Sequence, residues 1–255
     1  MKKNLPAKFL TPNLFNEYTY SKRRHFNIFL ENNYDQEMFG RKIDPDFCDL
    51  KVYQDLFMMS YILQNIEPGS KILDVGGGAS RILSYFKDTM ECWNIDKLEG
   101  MGNGPVDDQF EREGYKLVYD YMGNFNEELP NDYFDLVFSI STLEHVPEEL
   151  KNYENVLMDI NRVLKPGGYS VNCIDVVWHS ENVFWTNPIL LYFFEKEKII
   201  NKFIPFSEVI QDPDIFFMAE KYYSEKWQSA THKPYSEFGK PLSYNFLWKK
   251  ENVLI

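Results

Sequence analysis

The stretch KILDVGGGASRIL, residues 71–83, constrains the fold more than any other part of the chain. Its short apolar run at 71–75 is typical of a buried parallel strand, and three consecutive glycines and a helix-forming run follow it. Glycine permits positive φ and lets the backbone approach another group closely. The stretch therefore predicts a strand, a side-chain-free turn that faces a ligand, and a helix.

The residues after this unit continue the alternation of strands and helices. Further strands are predicted at 91–96, 115–120, 133–141, 169–177 and 243–250. Helices are predicted around 20–31, at 47–63 and at 148–164, where apolar residues recur at helical spacing and KPGG follows the last helix. This order predicts an α/β fold: a doubly wound, mostly parallel, seven-stranded Rossmann-like sheet.

The same pattern predicts how the chain is divided. We expect a helical N-terminal segment at 1–66 that covers the site, a Rossmann-like cofactor-binding core at 67–180, and the last strands with an aromatic-rich cap at 181–255, all in one compact domain. The polar, glycine-rich residues 98–114 predict a surface loop.

Four of the predicted strands end at a glycine or at a polar residue. These residues are Gly76, Asp96, Asp120 and Ser139. In open α/β sheets, ligands bind beyond the carboxyl ends of the strands, near the switch in strand order. These positions therefore predict a ligand site on one rim of the sheet.

Two phosphate-binding motifs do not fit the glycine turn. A dinucleotide fingerprint, G-x-G-x-x-G, would need a third glycine at the position of Arg81. A Walker-type loop would need a G-K-[ST] sequence, which does not follow. The sequence thus argues against both a nicotinamide cofactor and a nucleoside triphosphate.

The stretch instead resembles motif I of the class I S-adenosylmethionine-dependent methyltransferases. The family pattern is an acid followed by G-x-G and a further small residue, here Asp74, Gly76, Gly78 and Ser80. The family usually has glycine where Ser80 stands, so we expect a modest change at the start of the helix. The runs FDLVFSISTLEHV and INRVLKPGG match the fourth strand and the later helix and turn, so the resemblance covers about 110 residues.

The resemblance implies S-adenosylmethionine as cofactor. Asp96 matches the acid that holds both ribose hydroxyls, and Asp120 matches the acid beside the adenine amino group. The expected cofactor-binding residues are Asp74, Gly76, Gly77, Gly78, Asp96, Asp120, Tyr121 and Ser139.

Methyl transfer to a hydroxyl requires a general base, for which histidine is the usual residue. His145 follows the fourth predicted strand and His179 the fifth, so both are candidate catalytic bases, whereas His25 and His232 are expected at the surface. The expected substrate-binding residues are Arg23, Arg24, Glu144 and Trp178.

Charge and composition limit the partners. A net charge of −12 disfavours nucleic acid, and the longest apolar run, 188–194, is too short to cross a membrane. The three cysteines show no metal-ligand spacing, which predicts no metal site and fits a cytoplasmic protein. The basic run SKRRH, residues 21–25, predicts a solvated face or a contact with an anionic group on a substrate.

These observations predict a methyltransferase that acts on a small polar acceptor. The expected reaction is O-methylation of a sugar or a nucleotide-linked sugar in bacterial glycan or capsule biosynthesis, with a homodimer as one expected form. The alternatives are N-methylation of a small amine and a non-catalytic binding protein with the same fold.

Overall fold

The computed structural model describes residues 12–100, 104–107, 114–181 and 183–251. The start of the predicted segment 1–66 and most of the predicted surface loop at 98–114 lie outside the described residues. The chain forms two compact units. The first unit comprises Met1–Gln64, Cys173–Thr186 and Asn201–Asn245, and the second comprises Asn65–Asn172, Asn187–Ile200 and Phe246–Ile255.

Helices occupy both units. The α-helices of the described ranges are α1 (Pro12–Phe15), α2 (Arg23–Glu31), α3 (Tyr34–Phe39), α4 (Leu50–Asn65), α5 (Arg81–Phe86), α6 (Leu150–Val163), α7 (Ile189–Lys196), α8 (Phe206–Val209), α9 (Glu220–Lys226), α10 (Gln228–Thr231) and α11 (Tyr235–Phe238). Short 3₁₀ helices lie at Asn16–Tyr18 and Leu143–His145. None of the helices in the described ranges has the length and hydropathy needed to span a bilayer.

The strands form one seven-stranded, mostly parallel sheet. They are β1 (Lys71–Val75), β2 (Glu91–Ile95), β3 (Lys116–Val118), β4 (Phe134–Ile140), β5 (Leu164–Ser180), β6 (Val183–Trp185) and β7 (Lys240–Lys249). Their order is β3-β2-β1-β4-β5-β6, with β7 also beside β5. This sheet with its helices confirms the predicted Rossmann-like α/β class.

The strand order places a switch point beside the glycine turn. β1 pairs in parallel with β2 on one side and with β4 on the other, and β2 pairs in parallel with β3. The chain leaves β1 toward β2 and returns to the other side of β1 at β4. The turns that follow β1 and β4 therefore lie side by side, where ligands bind in sheets of this kind.

Buried apolar side chains hold this part of the sheet. Ile72 and Leu73 of β1 and the run Leu136–Phe138 of β4 are fully buried. The helix α6 buries one stripe, which includes Tyr153, Leu157 and Ile160 at the spacing expected for an amphipathic helix.

The prediction that His25 lies at the surface is wrong. The helix α2 turns Arg23 and Arg24 outward but buries His25, Phe26 and Phe29. The density of basic residues in SKRRH suggested a solvated face. The helical period instead places His25 on the same face as the two phenylalanines, which pack into the first unit. His232, by contrast, is exposed as predicted.

Candidate functional site

The three glycines after β1 form a turn whose N–H groups all donate to β2 or its end. The first donates to the carbonyl oxygen of Ile95 (2.8 Å). The second donates to Oδ1 of Asn94 (3.1 Å), and the third to Oδ2 of Asp96 (2.8 Å). Because these donors already have acceptors, the turn does not offer them to the oxygens of a pyrophosphate, as a dinucleotide site does.

Protein side chains also explain why residues 76 and 78 are glycine. Both have positive φ, +69° for Gly76 and +51° for Gly78. A Cβ at Gly76 would collide with Cγ2 of Thr142, which follows β4, and a Cβ at Gly78 would lie 2.8 Å from Cδ of Pro105. The turn is therefore held between the segments that follow β2 and β4.

The absence of a side chain at Gly77 leaves room for the carboxylate of Asp74. A Cβ there would collide with Oδ2 of Asp74, a residue of β1 that is buried. After the turn, the Ser80 hydroxyl accepts a hydrogen bond from the N–H of Leu83 (3.1 Å) and caps α5. Serine in place of the usual glycine thus adds an N-cap and leaves the turn intact.

Asp96 and Asp120 are neighbours at the ends of β2 and β3. The backbone N–H of each donates to the carbonyl oxygen of Val118, at 3.1 Å and 3.0 Å. Oδ1 of Asp96 accepts a hydrogen bond from the N–H of Leu98 (2.6 Å), and Oδ2 accepts one from Gly78. A carboxylate has about four acceptor positions, so each oxygen of Asp96 can still accept a ligand hydroxyl.

The Asp120 carboxylate is held by its own loop. Its oxygens accept hydrogen bonds from the side-chain amide of Asn126 (2.9 Å), from the amide of Asn124 and from the N–H of Tyr121 (2.8 Å). Partial burial raises the pKa of Asp120, but these hydrogen bonds and the charge of Lys97 outweigh that effect and lower it below the usual value. Asp120 is thus a fixed, ionised acceptor.

Two further predicted cofactor residues lie at the same rim. The Tyr121 hydroxyl donates to Oε2 of Glu99 (2.6 Å), and this hydrogen bond is the main reason why the pKa of Tyr121 rises to about 12. Ser139, near the end of β4, is fully buried and donates to Oδ1 of Asn172 on β5 (2.9 Å). The Ser139 hydroxyl therefore links two strands.

The segment after β4 carries Glu144 and His145. Glu144 is buried and His145 is exposed. The side-chain amide of Asn187 donates to the carbonyl oxygens of Glu144 (3.0 Å) and Val146 (2.8 Å). Oδ1 of Asn187 accepts the N–H of Ile189 at the start of α7 (2.9 Å), so Asn187 ties the segment to that helix.

The remaining predicted site residues belong to the first unit. Exposed side chains of Arg23 and Arg24 form ion pairs, Arg23 with Asp46 (2.6 Å) and Arg24 with Glu17 and with Asp214 (3.4 Å). Both arginines are thus positioned by carboxylates, which an anionic ligand would have to displace.

Trp178 and His179 lie near the end of β5. The Trp178 ring stacks on Phe217 with centroids 5.6 Å apart, and Nζ of Lys240 lies 4.8 Å from the Trp178 centroid. His179, the residue that follows Trp178, is exposed. This arrangement provides an aromatic surface with a cation next to it.

The structure therefore brings most of the predicted cofactor residues together within the second unit. Asp74, the turn 76–78, Asp96 and Asp120 are connected by the hydrogen bonds and contacts above. Three residues that support this rim were not predicted: Asn94, Thr142 and Asn187. Of these, only Asn94 has a local sequence signal, because it is a polar residue inside an apolar strand.

Comparison with known families agrees with this geometry. Residues 73–172 match the family described as "Methyltransferase domain", and they lie wholly within the second unit. This match agrees with the resemblance to the class I S-adenosylmethionine-dependent methyltransferases, and it covers fewer than half of the residues of the chain. No curated protein is significantly similar to the whole chain in sequence.

Solved structures resemble this chain in fold. One is Haemonchus contortus phosphoethanolamine N-methyltransferase 2 in complex with phosphomonomethylethanolamine and S-adenosylhomocysteine, at 14% identity over 78% of this chain and 52% of that chain, with a TM-score of 0.46. Another is the N-methyltransferase NodS from Bradyrhizobium japonicum, at 11% identity over 80% of this chain and 97% of that chain, with a TM-score of 0.47. The chain spans about half the length of the Haemonchus protein. At these identities the similarity concerns the fold alone.

Proposed function

We propose that this chain transfers a methyl group from S-adenosylmethionine to a small polar acceptor. The observation that carries the proposal is the rim of the second unit, where a glycine turn with occupied N–H donors adjoins the carboxylates of Asp96 and Asp120. Such a rim suits an adenosyl group, which presents hydroxyls and an amine, better than a pyrophosphate.

In this proposal each rim residue has one task. Asp96 accepts both ribose hydroxyls, because a carboxylate offers two oxygens to a vicinal diol. Asp120 accepts the adenine amino group, and the turn 76–78 with Asp74 allows close approach of the methionine part. Tyr121 lies beside the adenine, and Ser139 fixes the end of β4.

The chemistry requires alignment more than activation. The bound cofactor supplies an electrophilic methyl group on a sulfonium. Holding the acceptor in line with it supplies effective molarities of about 10⁵–10⁸ M. Where the acceptor is a hydroxyl, His145 or His179 takes its proton, a contribution of about 10²–10⁴ in rate.

For the acceptor we propose a sugar or nucleotide-linked sugar that is methylated on oxygen. The stacked pair Trp178 and Phe217 offers an apolar surface for a ring, and Arg23 and Arg24 offer charges for a diphosphate. Glu144 would contact acceptor hydroxyls. The proposal assigns substrate recognition to the segments 1–66 and 181–255, and cofactor binding to the segment 67–180. A cytoplasmic location, a glycan pathway and a homodimer stay predictions.

A binding panel tests the cofactor. We expect calorimetry to show binding of S-adenosylmethionine and of S-adenosylhomocysteine, and none of NAD. This follows because the rim has hydroxyl acceptors, and the N–H groups of the three glycines in the turn already have acceptors. An absence of heat with both adenosyl compounds would favour the non-catalytic alternative, and binding of NAD would contradict our interpretation of the turn.

An acceptor screen tests the rest of the proposal. We expect one nucleotide sugar to gain a single methyl group by mass spectrometry. We also expect His145→Ala or His179→Ala to lower turnover about 10²-fold while cofactor binding survives. The double variant Arg23→Ala/Arg24→Ala should raise KM for that acceptor more than it lowers kcat. A methylated amine with a rate that neither histidine affects would establish N-methylation instead, because a neutral amine needs no base.

A further inference from the structure

Asn94 holds the glycine turn with both ends of its side chain. It lies in β2, opposite Asp74 of β1, and it is fully buried. Its Oδ1 accepts the N–H of Gly77 (3.1 Å), and its Nδ2 donates to the carbonyl oxygen of Gly78 (2.9 Å). The carboxamide thus spans two consecutive peptide groups of the turn.

An amide is suited to this task. A buried strand in a parallel sheet is normally apolar, and an apolar side chain here would leave the partly buried N–H of Gly77 without its acceptor. Tyr115 also donates to the Gly78 carbonyl oxygen (3.2 Å), but the Gly77 N–H has only the Asn94 oxygen in the described structure. Asn94 therefore sets the orientation of the peptide groups beside Gly77.

We propose that Asn94 is a positioning residue that holds the glycine turn in its cofactor-binding conformation. The inference rests on the proposed function, because it assigns the turn to S-adenosylmethionine. Asn94 does not touch the cofactor in this proposal. It acts through the peptide groups of Gly77 and Gly78, which pack against Asp74 and Asp96.

The alternative is that Asn94 only stabilises β2. In that case its replacement would lower the melting temperature without changing cofactor affinity in the folded protein. A titratable replacement separates the two roles. In Asn94→Asp, one oxygen can still accept from Gly77, but the other faces the Gly78 carbonyl oxygen, with the Asp74 carboxylate also beside Gly77.

The sign of the pH effect follows from these neighbours. Burial, the Gly78 carbonyl oxygen and the Asp74 carboxylate all disfavour the ionised form of the new carboxyl group. They therefore raise its pKa. When it is ionised, it repels the Gly78 carbonyl oxygen. When it is protonated, its O–H donates to that oxygen as the wild-type amide does. The affinity of Asn94→Asp relative to wild type should therefore rise as the pH falls.

Calorimetric titration with S-adenosylmethionine from pH 8 to pH 5 tests this. We expect Asn94→Asp to bind about tenfold more weakly than wild type at pH 8 and to approach wild-type affinity at pH 5. Asn94→Ser should bind more weakly at every pH, and it keeps the test valid if the aspartate variant does not fold. In turnover, KM for the cofactor should change while kcat stays near wild type.

The control is the same substitution at another buried amide. Asn201 is buried in the first unit and donates to Oγ1 of Thr19 (3.1 Å) and to the carbonyl oxygen of Asn245 (3.0 Å). Asn201→Asp should leave the cofactor affinity pH-independent relative to wild type. Equal affinity of wild type, Asn94→Asp and Asn94→Ser would overturn the inference alone, whereas failure of wild type to bind would overturn the proposed function.

Discussion

Replacing Asp96 with alanine should weaken S-adenosylmethionine binding about a thousandfold, on the order of 4 kcal/mol. The carboxylate has one acceptor position per oxygen left for the ribose, so alanine removes two charge-assisted hydrogen bonds. It also removes the acceptors of the Gly78 and Leu98 N–H groups, which fix the turn after β1 and the start of the segment after β2. Calorimetry on the purified variant measures the loss.

Two further variants separate these effects. Asp96→Asn keeps an acceptor oxygen and should lose less affinity than alanine, about tenfold to a hundredfold. Asp88→Ala removes the same charge from an exposed position after α5 and should bind the cofactor as wild type does. A dissociation constant for Asp96→Ala equal to that of Asp88→Ala would remove Asp96 from the ribose site.

Much of the fold follows from local sequence patterns. The buried run of β1, the helical period of α6 and the end of α6 at Val163 were each predicted to within a few residues. The start of β5 was not, because Pro166 and the glycines after it are typical of a turn. The strand nevertheless begins at Leu164.

The reason lies in pairing that is distant in sequence. The Gly167 N–H donates to the carbonyl oxygen of Lys250 (3.0 Å), and the Lys250 N–H donates to that of Gly168 (2.9 Å). A Cβ at Gly168 would lie 2.9 Å from the carbonyl oxygen of Phe134, so only glycine fits. Strand pairing therefore overrides the local preference of KPGG.

The residues of the candidate site also fall into those that local sequence predicts and those that depend on contacts distant in sequence. Asp96 and Asp120 could be predicted because a strand end is a local feature. Thr142 and Asn187 could not be predicted, because their partners are distant in sequence. The Thr142 hydroxyl donates to the carbonyl oxygen of Gly76, 66 residues away, and the Asn187 amide donates to that of Glu144, 43 residues away. The prediction that His25 is exposed was wrong because the residues around His25 come from α4 and from the Asn16–Tyr18 helix. The local sequence SKRRH carries no information about these contacts.

The buried His25 should make the protein sensitive to mild acid. Its ring stacks on Tyr18, with centroids 4.3 Å apart, and Nδ1 lies 2.6 Å from the Tyr53 hydroxyl. Burial lowers the pKa of His25 most, and the charges of Lys22 and Arg24 lower it further.

Opposing influences on His25 are weaker. The nearby backbone of Glu17 and the charge of Asp212 raise the pKa slightly, and the result is a pKa of about 3. Histidine in an unfolded chain has a pKa of about 6.5. Between these two values the unfolded chain binds a proton at this residue and the folded chain does not.

Stability should therefore fall as the pH falls through this window. The loss is about 1.4 kcal/mol for each pH unit below about 6.5, or on the order of 3 kcal/mol by pH 4. That is a large part of the 5–15 kcal/mol that stabilises most domains. Urea unfolding of wild type and His25→Gln at several pH values measures the difference in slope, because the glutamine does not titrate.

The comparison isolates His25 from the many carboxylates that also titrate in acid. His232→Gln, at an exposed histidine, should keep the wild-type slope. His25→Gln should have a free energy of unfolding that falls less steeply between pH 6.5 and pH 4, whatever its stability at neutral pH. Parallel pH profiles for all three proteins would show that His25 gains its proton as easily in the folded chain as in the unfolded one, and would contradict its burial between Tyr18 and Tyr53.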